Sequence, residues 1–314
     1  MKALFLNPMP GLADLVSDSW PWDKDVFRYQ RSHGPDGSSD DMLLDSLHGR
    51  SYDLIIYCGM PIPNRPQREW VLTDWTLCKL KVYARLVHLV LDGGLPGWES
   101  TLYHYDKLQC FDAQVNTDGC LDWPLAGRKC CLSELIPNRY PDMVTKPLVE
   151  RSVDFGFSGG TGGPGHPRHE IIEELRRTAG LSFTHRPHFP DKHPGVDAVV
   201  DYSDYYERMA TYKVALNVAH MPGAKQVKGR VLDAGAAGCC LLENRNSDAR
   251  HWFVPQEDYL EYESTAGAAN QVKWLLNNLT IAQQMANNLR DKVRKNHAPL
   301  VFWGKVLDLV GLHQ

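Results

Sequence analysis

The sequence predicts an α/β protein of two halves facing a central cleft, each half a parallel sheet covered by helices. Three observations carry this. Short, almost continuous apolar runs recur through the first half of the chain, as strands buried on both faces require. Segments with a helical apolar period alternate with them. The same alternation restarts at residue 153 after a polar, Pro-containing stretch, "NRYPDMVTKPLVERS". The expected boundary therefore lies near residue 145, with domains 1–148 and 149–298 and an apolar tail, 299–314, docking near the boundary.

In the first half, "KALFLN" (2–7), "YDLIIYCG" (52–59), "LVHLVLD" (86–92) and "FDAQVN" (111–116) read as strands. The segment 68–86 reads as a helix, with Trp70, Val71, Trp75, Leu77, Leu80 and Tyr83 on one broad face. Residues 17–41 look irregular. In the second half, "VDFGFSG" (153–159) is a strand and 168–179 a helix, with Ile171, Ile172 and Leu175 on one side and a Glu173–Arg177 pair on the other. Strands follow at 181–186, 214–219 and 239–244, and amphipathic helices at 268–279 and 281–297. The two halves match in pattern but show no sequence repeat.

At 314 residues, with 43% hydrophobic and 10% aromatic residues, the chain has enough apolar surface for two buried cores. A net charge of -4 argues against a general nucleic-acid coat, though a local basic groove is compatible with it. No apolar run approaches the ~20 residues that span a membrane, and "MKALFLNPMPG" is too short a run for a signal peptide. The expectation is a cytoplasmic protein. The eight cysteines form no C-x-x-C; Cys130–Cys131 and Cys239–Cys240 fall in apparent strands, where neighbours point to opposite faces and cannot share a metal. The thirteen histidines include no spaced ligand pair on a helix. Asp40–Asp41 lies in a Gly/Ser-rich stretch, a poor setting for a metal-binding acid pair. No metal and no cofactor are expected.

Ligands of open α/β sheets sit beyond the carboxyl ends of the strands. The loop after 153–158, "SGGTGGPGHPRHE", places Gly159, Gly160, Thr161 and Gly162 where backbone N–H groups can approach a diphosphate. Gly160, Gly162 and Gly165 also spell G-x-G-x-x-G, which admits an NADP-dependent oxidoreductase. Against that stand Pro164, which removes a donor, and a next strand ending "THRPH" with no acid for a ribose. Asn7 and Gly11 follow the first strand and face the cleft. Asp92 ends another strand, where it serves as a general base or caps the next segment. In "KQVKGRVLDAGAAGCCLLEN" (225–244), Lys225, Lys228 and Arg230 lead into a short helix near 229–237 and suit a diphosphate, and Asp233 one turn on suits ribose hydroxyls.

These residues also carry a family resemblance. Lys213-Val-Ala-Leu-Asn217, then Lys228-Gly-Arg230-Val-Leu-Asp233-Ala-Gly-Ala-Ala-Gly238-Cys-Cys-Leu-Leu242, then "FVPQEDYLEY" and "LRDKVRKNH" resemble the carboxyl-terminal domain of GT-B glycosyltransferases of the group 1 and spore-maturation type. The resemblance covers about 150–300, and the family usually has Glu at position 233. It implies two Rossmann-like domains, an amino-terminal one for the acceptor (Asn7, Gly11) and a carboxyl-terminal one for a nucleotide sugar, read as a UDP-sugar. It implies donor contacts from Gly159, Gly160, Thr161, Gly162, Asn217, Lys225, Lys228, Arg230 and Asp233. Catalysis would rest on Arg230 and Lys228, with Asp92 as candidate base, and no metal. The acceptor stays open: a glycan, a small molecule, a protein or a hydroxymethylated DNA base. A binding protein that keeps the GT-B shape without turnover is the non-enzymatic alternative.

Overall fold

A computed structural model describes residues 1–7, 16–28, 39–58, 72–91, 99–140, 142–161, 163–184, 202–218, 225–245 and 248–313. The elements run β1 (Lys2–Asn7), β2 (Asp23–Arg28), α1 (Ser39–Leu47), β3 (Leu54–Tyr57), α2 (Asp74–Leu80), β4 (Arg85–Val90), α3 (Glu99–Leu108), β5 (Ala113–Asn116) and β6 (Cys131–Ser133). They continue with β7 (Val153–Ser158), α4 (Pro167–Ala179), β8 (Ser182–Thr184), α5 (Tyr202–Met209), β9 (Tyr212–Asn217), α6 (Arg230–Ala236), β10 (Cys240–Asn244), α7 (Ala249–Trp252) and β11 (Tyr259–Tyr262). Three helices close the chain: α8 (Thr265–Asn277), α9 (Leu279–Asn296) and α10 (Pro299–Leu309). Two compact units result, Met1–Arg139 with Pro299–Gln314, and Tyr140–Ala298.

The first unit holds a parallel sheet in the order β2-β1-β3-β4-β5-β6. The order reverses between β1 and β3, and Asn7 ends β1 there. The tail helix α10 belongs to this unit. Its Phe302, Trp303, Val306 and Leu307 join Phe5, Leu54, Ile56 and Val87 in one core. The Trp303 ring lies 4.9 Å from Trp20 and 5.8 Å from Phe5, and its indole N–H donates to Ser19 Oγ at 3.1 Å.

The second unit has the parallel order β11-β10-β9-β7-β8, which reverses between β7 and β9. Two glycines let its layers close. A Cβ on Gly156 would stand 2.5 Å from Tyr212 Cδ1, so the glycine lets the Tyr212 ring lie on β7 and share a hydrogen bond of 2.8 Å with Ser158. A Cβ on Gly235 would meet Val293 at 2.7 Å, which sets the approach of α6 to α9. Buried Arg151 donates to the carbonyls of Tyr212 (2.8 Å), Ala237 (2.9 Å) and Lys146 (3.0 Å), tying the entry of the unit to β9 and the end of α6.

Both halves are Rossmann-like, as the alternation predicts, but several details differ. The segment read as one helix, 68–86, is the short α2 and then the start of β4; Trp70 and Val71 lie outside the described residues. Leu77 and Leu80 are buried, whereas Trp75 is 57% exposed. The helical spacing had merged a helix with the turn and the strand start that follow it. Residues 17–41, read as irregular, contain β2 and the start of α1. Asp40–Asp41 opens that helix and is no loop. Asp40 Oδ2 accepts from Thr73 N (3.1 Å), Thr73 Oγ1 (2.6 Å) and Thr76 Oγ1 (2.7 Å), anchoring the start of α2. Glu173 pairs with Arg176 at 2.9 Å, one position short of the expected partner. Each vicinal cysteine pair straddles a strand start, since Cys131 opens β6 and Cys240 opens β10.

Candidate functional site

The carboxyl edge of the second sheet gathers polar side chains that are almost fully buried: Ser158 on β7, Asn217 on β9, Glu243 on β10 and Arg230 at the start of α6. Arg230 reaches across the point where the strand order reverses. Its Nε donates to the Ser158 carbonyl at 2.8 Å, its Nη1 donates to Asn217 Oδ1, and the guanidinium lies 4.4 Å from the centre of the Phe157 ring. Gly159 makes room for it. With φ at +151°, this residue would bring a Cβ within 3.2 Å of Arg230 Cζ and 3.3 Å of Nε. The glycine is thus required by both the backbone and the neighbour.

Strand register explains the next contacts. Asn217 pairs with Glu243 across β9 and β10, and Glu243 with Glu261 across β10 and β11. Asn217 Nδ2 donates to Glu243 Oε2 at 2.7 Å, and Tyr262 donates its hydroxyl to the Asn217 carbonyl at 2.9 Å. Burial pushes the Glu243 carboxyl up to about 8, with Asn217 and Arg230 opposing and Glu261 assisting. Glu261 goes the other way. The hydrogen bond from Arg250 (2.8 Å from Nε), opposed by burial and helped by Tyr259, holds it below the usual glutamate range.

The glycine loop is only partly what its motif suggested. Thr161 is buried, and its Oγ1 accepts from Gly163 N at 3.3 Å. A Cβ on Gly160 would meet nothing within 4 Å among the described residues, which put no steric demand for glycine on this position. Gly162 lies outside the described residues, as do Asp92 and Gly11. Lys228 is half-buried and Lys225 exposed on the segment entering α6. Asn7 is 2% exposed at the end of β1, and neither atom of its amide group has a hydrogen-bond partner among the described residues.

Asp233 is placed differently from the ribose-facing role expected of it. Its carboxylate turns into the unit, with Oδ2 accepting from the Tyr205 hydroxyl at 2.9 Å and Oδ1 from that of Tyr206 at 2.7 Å. Two buried hydroxyls from α5 thus explain an acid among Val231, Leu232 and Ala234. Two residues of the site were missed in the sequence. Glu243 hides in an apolar strand. Arg168, buried at the start of α4, donates from Nη1 to the Gly160 carbonyl at 3.0 Å. A cation in the first turn of a helix opposes the helix dipole, and that was the available signal.

Beside Tyr262 opens a cavity of about 350 Å³, lined by Glu170, Ile171, Asn244, Tyr262, Glu263 and Ser264 among others. Among the described residues no group of three or more His, Cys, Asp or Glu side chains could hold a metal ion, and no helix is long and apolar enough to cross a membrane. Two cationic side chains converging on one loop at the carboxyl edge can hold an anionic ligand and stabilise charge that develops on it.

Residues 168–300 match the profile of a family described as glycosyl transferase-like. No curated protein matches the sequence. The structure is similar over 99% of this chain and 99% of the other to HepE of Anabaena in complex with UDP-glucose, at 13% identity and a TM-score of 0.69. It is similar to sucrose-phosphate synthase of Thermosynechococcus elongatus (13% identity, 99% and 97% of the two chains, TM-score 0.64). It is also similar to T4 phage BGT in complex with UDP and Mn2+ (15% identity, 98% and 100%, TM-score 0.59). At such identities the likeness is one of fold, and the fold is GT-B. Fold and family match together define the class, a glycosyltransferase of GT-B architecture. Its glycosyl transferase-like domain is the second unit, the one that holds Arg230, Asn217 and Glu243. The oxidoreductase reading of the glycine loop gives way to it.

Proposed function

We propose that this chain moves a sugar from a UDP-sugar to a hydroxyl-bearing acceptor, with the donor diphosphate held at the ends of β7 and β9. The observation that carries the reading is Arg230, a buried cation bridging those two strand ends where the sheet order reverses, the place at which open α/β sheets take their ligands. The choice of a UDP-sugar rests on two of the similar structures, HepE in complex with UDP-glucose and T4 phage BGT in complex with UDP.

Arg230, Arg168 and Lys228 neutralise the diphosphate, and their charge counts most as the sugar–phosphate bond breaks. Gly159, Gly160 and Thr161 shape the loop beneath it, Gly162 is assigned to the same donor contact from its place in the sequence, and Lys225 adds to the field. The nucleoside lies in the cavity beside Tyr262, whose carboxylates Glu170 and Glu263 suit ribose hydroxyls. Asp233 acts behind this surface, by holding α6 against α5. On the first unit, Asn7 and Gly11 serve the acceptor; the orphaned amide of Asn7 gains partners when an acceptor hydroxyl arrives. Asp92, assigned from its place in the sequence after β4, is the proposed base. With three cations at the diphosphate, turnover proceeds without a divalent metal. All eight cysteines are free thiols, which suits a reducing compartment, and we place the protein in the cytoplasm on that ground.

Titration calorimetry with UDP and UDP-glucose tests the donor site: wild type binds, and Arg230→Ala loses both affinity and UDP release. Absence of binding by wild type to either compound rejects the proposal. Turnover that vanishes on chelation and returns with Mn2+ rejects the metal-free part alone.

A further inference from the structure

We propose that Glu243 is a positioning residue of the donor site: through the side-chain amide of Asn217 it holds the Arg230 guanidinium at the end of β7. The inference rests on the donor reading given above and adds a residue that touches no substrate. Its starting point is the choice an asparagine amide faces. One end donates and the other accepts, and the two differ only by a half-turn. A guanidinium has donors alone, so Arg230 needs the oxygen end. The flipped amide would set N–H against N–H.

Glu243 decides between them from the other side. Its Oε2 accepts from Asn217 Nδ2 at 2.7 Å, which leaves Oδ1 turned to Arg230. Register makes the contact obligatory, since Asn217 and Glu243 are paired residues of adjacent strands. The Asn217 main chain is fixed as well, by the hydroxyl of Tyr262. The Arg230 side chain is thus held at two points, the Ser158 carbonyl and an amide oxygen whose direction Glu243 sets.

A carboxyl group performs this task only if it does not cancel the charge it positions. The charged and titratable groups acting on Glu243 are Arg230 from α6 and Glu261, Tyr259 and Tyr262 from β11. Arg250 keeps Glu261 ionised, so of the two neighbouring carboxyls it is Glu243 that carries the proton. A protonated Glu243 still accepts from Asn217 and leaves the Arg230 charge to the diphosphate. On the alkaline side it ionises, and a carboxylate then competes with the incoming anion.

The test is UDP binding by calorimetry, at about pH 7 and about pH 9.5, to wild type, Glu243→Ala, Glu243→Gln, Asn217→Ala and the double variant Asn217→Ala/Glu243→Ala. Glu243→Ala should bind UDP roughly 10-fold more weakly at the lower pH, as loss of one hydrogen bond that sets a charged contact implies. Glu243→Gln, whose amide oxygen accepts from Asn217, should recover affinity to within about 3-fold of wild type. It should also lose the alkaline weakening that wild type shows. The double variant should bind no worse than Asn217→Ala alone, because Glu243 acts only through that amide. Equal binding by wild type and Glu243→Ala, or additive losses in the double variant, overturns the proposal. Should Glu243→Ala fail to fold, the Gln variant decides by itself: an alkaline loss as steep as in wild type refutes the role of Glu243. A wild type that binds no UDP removes the donor reading and this proposal with it, whereas a wild type that binds while the variants behave alike removes only the proposal.

Discussion

Replacing Gly159 by alanine tests the geometry around Arg230 most directly. The new Cβ would lie 3.2 Å from Cζ and 3.3 Å from Nε of Arg230, and closer still to Nη2. The guanidinium cannot give way freely, because its Nε is bonded to the Ser158 carbonyl at 2.8 Å and its plane rests on Phe157. The backbone resists as well: φ at +151° is a region for glycine, and holding alanine there costs about 1–3 kcal/mol. If Arg230 is displaced instead, a hydrogen bond from a charged group is lost, worth about 1.5–3 kcal/mol. Because relief of one cost incurs the other, the expected destabilisation is about 2–3 kcal/mol. It should appear in the urea midpoint at unchanged slope. Gly160→Ala is the internal control, since its Cβ would meet nothing within 4 Å; its change should stay within about 0.5 kcal/mol. In the donor reading, UDP affinity should fall by roughly 10-fold or more for Gly159→Ala. Equal urea midpoints for the two variants, with equal UDP affinity, would refute the claim that Gly159 exists to admit Arg230.

Three further outcomes follow from the second unit. Gly156→Ala places a Cβ 2.5 Å from Tyr212 Cδ1 between two buried layers and should cost about 1–3 kcal/mol in denaturant unfolding; a neutral result would mean that Tyr212 is not confined there. Asp233→Asn weakens the acceptor of two tyrosine hydroxyls and should lower stability by about 1–3 kcal/mol while leaving UDP affinity nearly unchanged; loss of affinity in a chain of unaltered stability would restore a ribose contact. Glu243, raised to about 8 from 4.5, binds a proton in the folded state that the unfolded chain has already released, so its contribution to stability is full below pH 4.5 and is lost as pH rises to about 8. The slope of unfolding free energy against pH should therefore be more negative than in Glu243→Gln by up to about 1.4 kcal/mol per pH unit, and identical profiles would show that the carboxyl is ionised throughout.

Much of this architecture was legible because parallel strands buried on both faces must be apolar along their length. "KALFLN", "VDFGFSG" and "VALNVA" gave themselves away for that reason, although the third strand starts two residues earlier, at Tyr212, and ends at Asn217. Arg230 was legible for a related reason, since a cation beside Val231 and Leu232 at a helix start needs a partner or a ligand. What failed was reading side-chain direction from spacing alone. Trp75 fits a helical face on paper, but α2 spans only Asp74–Leu80 and buries Leu77 and Leu80 while Trp75, in its first turn, stays exposed. Asp233 fits a site on paper, but the hydroxyls that claim it come from Tyr205 and Tyr206, 28 and 27 residues away.

Glu243 shows the limit in its sharpest form. In the sequence it is one acid at the end of "CCLLEN", indistinguishable from a solvated residue at a strand end. Its role needs three facts that only pairing supplies: that Asn217 lies beside it, that Arg230 lies beyond Asn217, and that the neighbouring Glu261 is already held by Arg250. Composition cannot give them, because each joins residues from different strands or helices. The converse also holds. In the register of β9 and β10 Leu216 pairs with Leu242 in the core, and the next pair along is Asn217 with Glu243, whose side chains meet at the edge. The packing that buries Leu216 and Leu242 is therefore the same constraint that brings the amide to the acid, and the charged edge of this sheet is built by its core.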